Sequence, residues 1–339
     1  MSIARGVPVT IIRGGTSRGV FLRDSDLPAD PASRRNAILR FFGGESAALA
    51  DGLGGEHPVL RKAAIVSAGQ PTPEGYPRVR YTFGQVTPDL RDVEHSAECG
   101  NIAAGIPIFS ALEGFVPAPA VGSKIWIDLA NTGKAILADW TSLASEAAGA
   151  IRLSFVSPAT DRASALPLGE PASTTSARAG TAIRYSAVSA MNSYVFVDAA
   201  SLGIPRPGEL RHLPAETHQA LADLGDEVKD RLGTSGSPKT CLVAPVEGRS
   251  ATISALVVYP REQRVHHAFP VTGAVALGVA SCLEGTVLHE CARLGSCAEL
   301  AIAHPSGVLS VFLDRGAADV PRHVGIERTF RVLMRGTGY

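Results

Sequence analysis

The feature that most constrains this chain is that its second half repeats the first in the same order. VTIIRGGTSRGVFLRDSDL, starting at Val9, is matched by IRYSAVSAMNSYVFVDAASL, starting at Ile183. Each reads as a strand, a polar turn, a second strand with Val and Phe, and an acidic turn, which is the pattern of a hairpin. LRKAAIVSAG is then matched by SPKTCLVAPV, so that Lys62 and Lys239 each open an apolar strand. Finally ECGNIAAGIPIFSALEGFV is matched by VTGAVALGVASCLEGTV, each a polar Gly opening, an Ala-rich apolar stretch and a closing Leu-Glu-Gly. Cys99 in the first copy holds the position of Thr272 in the second.

At 339 residues the chain exceeds what one hydrophobic core usually organises. The duplication therefore divides it into residues 1–180 and 181–339, with the Ser, Thr, Ala and Gly run from Gly169 to Gly180 as the connection. Short strands are expected over Val7–Ile12, Lys62–Ser67, Val79–Phe83, Lys124–Leu129, Thr240–Ala244 and Ala251–Tyr259. Helices are expected over Pro31–Phe42, Asn101–Glu113, His218–Leu232 and Thr272–Leu283. The second and fourth are nearly uncharged, and a helix that is apolar all round has to be buried. The fold class is α+β: two similar domains, each a strand-rich layer wrapped around one apolar helix.

Several function classes are excluded. Lys and Arg balance Asp and Glu at 32 each with no basic stripe, so the electrostatic footprint of a nucleic-acid binder is missing. The start, MSIARGVPVTII, is too short in apolar residues for a secretory or membrane segment, so a cytoplasmic protein without a membrane partner is expected. The five cysteines, Cys99, Cys241, Cys282, Cys291 and Cys297, form no CxxC pair, which argues against disulfides and structural zinc. HExxH, GxxxxGK[ST] and GxGxxG motifs are absent from the sequence. What remains is chemistry done by side chains.

Cys99-Gly100-Asn101 opens the first apolar helix, where free N–H groups favour a thiolate or a bound carboxylate. Moving a thiol from a reference pKa of about 8.5 to neutrality takes roughly 2 kcal/mol. A helix start typically contributes about 0.3–1 kcal/mol, so a cation is needed too, and Lys62 is the candidate. Packing is the bland alternative for Cys99, and it is the reading adopted for the other four cysteines. Arg13, Thr16, Ser17 and Arg18 lie in the turn RGGTSRG, whose donors suit a carboxylate, although a polar hairpin turn explains it equally well. Asn192, Lys239, Thr272 and Gly273 hold the matching second-half positions. His304 and Ser306, in the turn HPSG, complete the candidate binding residues, whereas His266 and His267 read as solvated.

Together RGGTSRGVFL, DGLGG, KAAIVS, CGN, NTGK, SPK, HHAFPVTGAVALGVA, EGTV, HPSGVL and RTFRVLM resemble the 2-methylaconitate and 4-oxalomesaconate isomerase family of the diaminopimelate-epimerase-like superfamily. The resemblance runs from about Arg13 to Met334. It implies two pseudo-symmetric domains with strand-rich barrels around central helices, active-site groups in the cleft between them, and a last segment that returns to the first domain. It implies proton transfer on a small unsaturated polycarboxylate with neither metal nor organic cofactor, Lys62 and Cys99 being the acid–base pair. A homodimer is left open. The family usually has Lys at Arg18, Asn at Glu98, Thr-Ser at Leu60-Arg61 and Asn-Pro at Asn192-Ser193, departures that bear on which acid is taken. A two-base epimerase is the first rival, weakened because Thr272 is a poor base. A silent carboxylate-binding protein is the second.

Overall fold

The computed structural model describes residues 6–44, 48–96, 98–176, 182–234, 236–246, 251–292, 294, 298–315 and 319–339. Cys297 and residues 177–180 of the expected connection lie outside them. The chain forms two compact units, Met1–Ser154 with Glu327–Tyr339, and Phe155–Ile326.

In the first unit the strands are β1 (Val7–Gly14), β2 (Ser17–Arg23), β3 (Lys62–Gly69), β4 (Arg78–Val86), β5 (Val93–Glu94), β6 (Lys124–Leu129), β7 (Lys134–Ser145) and β8 (Ala148–Val156), the last running just past the unit boundary. Its helices are α1 (Pro31–Arg40), α2 (Gly100–Ala103) and α3 (Ile106–Leu112). The second unit has strands β9 (Ser173–Ser176), β10 (Ala182–Ala190), β11 (Asn192–Asp198), β12 (Lys239–Pro245), β13 (Ile253–Tyr259), β14 (Arg264–Val265), β15 (Glu299–His304) and β16 (Gly307–Asp314). A final strand, β17 (His323–Gly338), begins in the second unit and ends in the first. Helices α4 (Arg162–Ala165), α5 (Ala215–Leu232), α6 (Val271–Cys282) and α7 (Val287–Ala292) belong to the second unit.

The duplication read from the sequence is present strand for strand. β1–β2 is an antiparallel hairpin, β2–β3 is parallel, β3–β4 antiparallel and β4–β6 parallel. The same succession holds for β10–β11, β11–β12, β12–β13 and β13–β15. In the parallel pairs Lys62 lies opposite Gly19, and Lys239 opposite Tyr194. β17 closes the first unit by pairing antiparallel with β1, from Val7 opposite Gly338 to Gly14 opposite Phe330.

Each sheet is covered on both faces, which is why its strands read as nearly continuous apolar runs. Val9, Ile11, Val20, Leu22 and Ile65 share a core with Ile38 and Leu39 of α1. On the other face Phe21 meets Phe109 of α3, with ring centroids 5.7 Å apart. Burying one such ring contributes roughly 1.5–3 kcal/mol. In the second unit Leu221, Leu224 and Val228 of α5 pack on Tyr185, Val197, Leu242 and Val258. α6 is buried from Val271 to Ser281, and Gly278 admits Leu313 and Val324, each 3.0 Å from where its Cβ would stand.

Two expectations from sequence are corrected. The helix expected over Asn101–Glu113 is two helices broken at Ala104-Gly105, where Gly105 N–H bonds to the Ile102 carbonyl at 2.9 Å. Pro107 explains the break, since it has no N–H to donate and its ring would press on the carbonyl of Ala103. Gly105 is required at the break because a Cβ there would stand 2.6 Å from Phe21 Cζ. Part of the expected connection, Ser173–Ser176, is instead an edge strand paired with β10. Among the described residues no helix is long and apolar enough to cross a membrane.

Candidate active site

Lys62 and the opening of α2 stand on one face of the first unit's sheet. Lys62 is opposite Gly19, and the alternation along β2 puts Gly19 and Phe21 on the same side, the side covered by α3. A Cβ at Gly19 would lie 3.0 Å from both Ile102 Cδ1 and the Lys62 carbonyl, so the start of β3 adjoins the first turn of α2. Lys62 Nζ donates to Gln85 Oε1 at 2.6 Å and sits 5.1 Å from the centroid of the Phe83 ring. Gln85 is held in turn by donating to the Arg61 carbonyl at 2.8 Å. Cys99 caps α2, half-buried, with its carbonyl accepting from Ala103 N–H at 2.9 Å and no hydrogen bond from its side chain to the cap. Because α2 is a single turn before the break, its dipole is smaller than that of the longer helix expected from sequence.

The turn between β1 and β2 packs onto this opening. A Cβ at Gly14 would stand 2.1 Å from the Asn101 carbonyl oxygen, and Asn101 Nδ2 donates to Thr16 Oγ1 at 3.1 Å. Ser17 is buried beside them. Arg13 and Arg18 do not join the cluster. They are paired across the hairpin and alternate with Ile12, Gly14 and Gly19, so they leave the sheet on the α1 side. Arg13 Nη1 donates to the Thr329 hydroxyl at 2.7 Å and to the Thr329 carbonyl at 3.0 Å. Arg18 Nη2 donates to the carbonyls of Leu53 and Gly54 at 3.3 and 3.2 Å, which ties down the DGLGG loop. Both arginines therefore have structural partners already. On the α2 side the guanidinium is that of Arg328, from β17, whose Nε donates to Asn101 Oδ1 at 3.2 Å. Arg328 opens RTFRVLM, one of the motifs that carry the resemblance, but nothing in that motif marked it as a binding residue.

Glu98, next to Cys99, is the other group that sequence reasoning passed over as a site residue. Its Oε1 accepts from the Thr132 hydroxyl at 3.1 Å, while Oε2 is buried without a partner. Burial pushes its carboxyl up to about 7, with the hydroxyl of Thr132 and the backbone N–H groups of Thr132 and Asn131 holding it back. The Tyr81 hydroxyl, buried and unpartnered, is pushed up by burial and then by the nearby charges of Cys99 and Glu98. A carboxyl raised on folding stabilises the fold fully below its unfolded value, and that contribution is lost as pH rises through the folded one. The Glu98→Gln variant should therefore melt increasingly above wild type as pH is taken from about 4.5 to 7, the window between the ordinary and raised values, and the difference should vanish at lower pH. Melting curves across that range, showing parallel pH profiles for the two proteins, would refute a buried ionisable Glu98.

The second unit gathers most of its predicted residues into one network. With the Asn192 amide oriented by its neighbours, its oxygen accepts from Lys239 Nζ at 3.2 Å and from Thr272 Oγ1 at 3.1 Å. Tyr194, which the sequence presents only as a strand residue, adds its hydroxyl 3.3 Å from Thr272 Oγ1 and its ring 5.8 Å from Lys239 Nζ. Gly273 packs closely there, since a Cβ would come 3.0 Å from the Tyr194 hydroxyl. His304 and Ser306 form the β15–β16 turn, where Ser306 N–H donates to His304 Nδ1 at 3.2 Å and the Ser306 hydroxyl donates to the His267 carbonyl. His267 is exposed, as expected. His266 is not: it stacks on His267 with centroids 5.1 Å apart, and burial draws it down to about 4, so it is neutral at pH 7. Among the described residues no group of three or more His, Cys, Asp or Glu is arranged to hold a metal ion.

The model of the PrpF protein family matches residues 4–339. The chain is 28% identical to a 3-methylitaconate isomerase of Eubacterium barkeri, over 100% of this chain and 98% of that protein. It is also 28% identical to a 4-oxalomesaconate tautomerase of Pseudomonas putida, over 97% of this chain and 95% of the relative. Among solved structures, methylitaconate-delta-isomerase superposes with a TM-score of 0.83 at 25% identity, over 98% of this chain and 95% of that one. A hydroxyproline epimerase from Agrobacterium vitis superposes with a TM-score of 0.55 at 14% identity, over 99% and 92%, a likeness of fold alone. The fold is thus the α+β, diaminopimelate-epimerase-like one.

Proposed function

Since this chain belongs to the PrpF protein family, we propose that it is an isomerase that moves a proton and a C=C bond within a small unsaturated di- or tricarboxylic acid, with Lys62 and Cys99 as the acid–base pair. The names of its relatives, which act on methylitaconate and oxalomesaconate, support the substrate class. One observation carries the residue assignment: Lys62 and the Cys99 end of α2 share a face of the same unit, next to the polar cluster of Thr16 and Asn101.

One member of the pair removes a proton from the carbon allylic to the double bond. The C–H electron pair becomes the new C=C, and the old π pair moves toward the conjugated carboxylate. The other member then protonates the carbon next to that carboxylate, so the product has the composition of the substrate and the step is redox-neutral. Donors that hold the carboxylate as charge spreads onto it lower the barrier. An acid–base thiol has to stay reduced, which fits the cytoplasmic setting expected from the sequence.

The test is incubation with cis- and trans-aconitate, methylaconitate, methylitaconate, itaconate and oxalomesaconate in deuterium oxide, followed by proton NMR. At least one acid should convert, with loss of its own proton signals, appearance of those of the double-bond isomer, and deuterium at the carbon that gains a proton. If none reacts, the proposal fails. If instead deuterium enters an amino-acid stereocentre without bond migration, the two-base epimerase takes its place.

A further inference from the structure

Resting on the reading above that the first unit's cluster takes a polycarboxylate, we propose that Arg328 is the cation that grips one of the substrate's carboxylates beside Asn101. Arg328 stands two residues before Phe330, which lies opposite Gly14, so the alternation along β17 sends its side chain to the α2 side. This is the face of Lys62, and the face that Arg13 and Arg18 leave.

Two observations favour a ligand-binding role over a structural one. Arg328 spends its hydrogen bonds on neutral acceptors, Asn101 Oδ1 at 3.2 Å through Nε and the Glu327 carbonyl at 3.0 Å through Nη1, and makes no ion pair with a described residue. Arg328 is half-buried, and burial draws its guanidinium down to about 10, so it is still charged at neutral pH but partly stripped of water. A desolvated cation without an anion is costly, and an incoming carboxylate would relieve that cost through paired N–H···O bonds from the planar guanidinium.

The surroundings hold the guanidinium ready. Asn101 accepts from Arg328 with its oxygen and donates to Thr16 with its nitrogen, so one amide links the β1–β2 turn, the opening of α2 and β17. Gly15, at φ +51°, leaves the space, since a Cβ there would come 2.3 Å from Asn101 Oδ1 and 3.1 Å from Arg328 Cδ. The other nearby cations are occupied: Arg13 by Thr329 and Arg18 by the DGLGG loop carbonyls.

The probe is tricarballylate, a saturated tricarboxylate that cannot undergo the reaction, titrated calorimetrically into wild type, Arg328→Gln and Arg328→Lys. Arg328→Gln keeps a donor for Asn101 and removes the charge, and it is expected to weaken binding about tenfold or more, with Arg328→Lys in between. With a reacting acid, KM should rise by more than kcat falls, while the unliganded melting temperature stays level or rises because an unpaired cation has gone. Binding and KM within twofold of wild type in Arg328→Gln would overturn the inference, as would a wild type that fails to bind tricarballylate. If wild type binds tricarballylate through Arg328 yet isomerises none of the acids, the reaction falls and the carboxylate site stands. Should the acids be isomerised with KM indifferent to Arg328→Gln, the reaction stands and Arg328 has no part in binding.

Discussion

Replacing Cys99 with serine is expected to lower kcat/KM by about 10³-fold, within the range of 10²–10⁴ typical for removing an acid–base group, while the melting temperature stays near wild type. Serine keeps the shape, and the side chain of Cys99 makes no cap hydrogen bond to lose. Its hydroxyl has no useful anionic form near neutrality, however, so the proton has nowhere to go. Lys62→Met should cost a comparable factor, since it removes the ammonium but leaves Gln85 anchored on the Arg61 carbonyl. The two groups serve one proton transfer, so the double variant should be little worse than the poorer single one. Steady-state rates on the acid identified by NMR, with circular dichroism on each variant, decide the matter. If both single variants kept activity within tenfold of wild type, the acid–base pair would have to be sought elsewhere.

How much of this site could be read from the sequence follows from the range over which each signal acts. Lys62 was legible because a charged residue opening an apolar run marks the end of a buried strand, and the same signal at Lys239 gave the equivalent register in the second unit. Asn101 and Thr16 were legible as neighbours of recognisable turns, and their side chains do meet. Arg13 and Arg18 show the limit. A turn rich in donors is visible in sequence, but the face onto which its arginines project depends on strand register, and a shift of one residue reverses it. The resemblance implied that the segment carrying Arg328 returns to the first domain, but not that its side chain joins the site, because its contact with Asn101 spans 227 residues of chain and exists only once β17 has paired with β1. The break in the Ala-rich segment is different: Gly105 and Pro107 are plain in the sequence, and the apolar pattern around them masked their effect. His266 was misread because a His-His pair looks solvated until tertiary packing buries one ring.

Gly14→Ala tests whether the site depends on the close seating of the β1–β2 turn on α2. The added methyl would stand 2.1 Å from the Asn101 carbonyl oxygen and 3.1 Å from its carbon, both backbone atoms that no rotamer change can move aside. Gly14 is not among the residues at positive φ, so the contact alone sets the effect. Overpacking of this kind costs about 1–3 kcal/mol. To relieve it the first turn of α2 must withdraw, taking Gly100 and Cys99 with it, and a displacement near 1 Å can cost on the order of 10²-fold in rate. We therefore expect both a lower melting temperature and a loss of kcat/KM of about that size. Gly225 in α5 supplies the contrast, since nothing lies within 4 Å of where its Cβ would be. There alanine should stabilise the protein by roughly 0.5–1 kcal/mol, as expected for a helix interior, and leave the rate unchanged. A Gly14→Ala protein with wild-type stability and turnover would mean that the turn and α2 are not in contact, and the cluster built on Asn101 would lose its foundation.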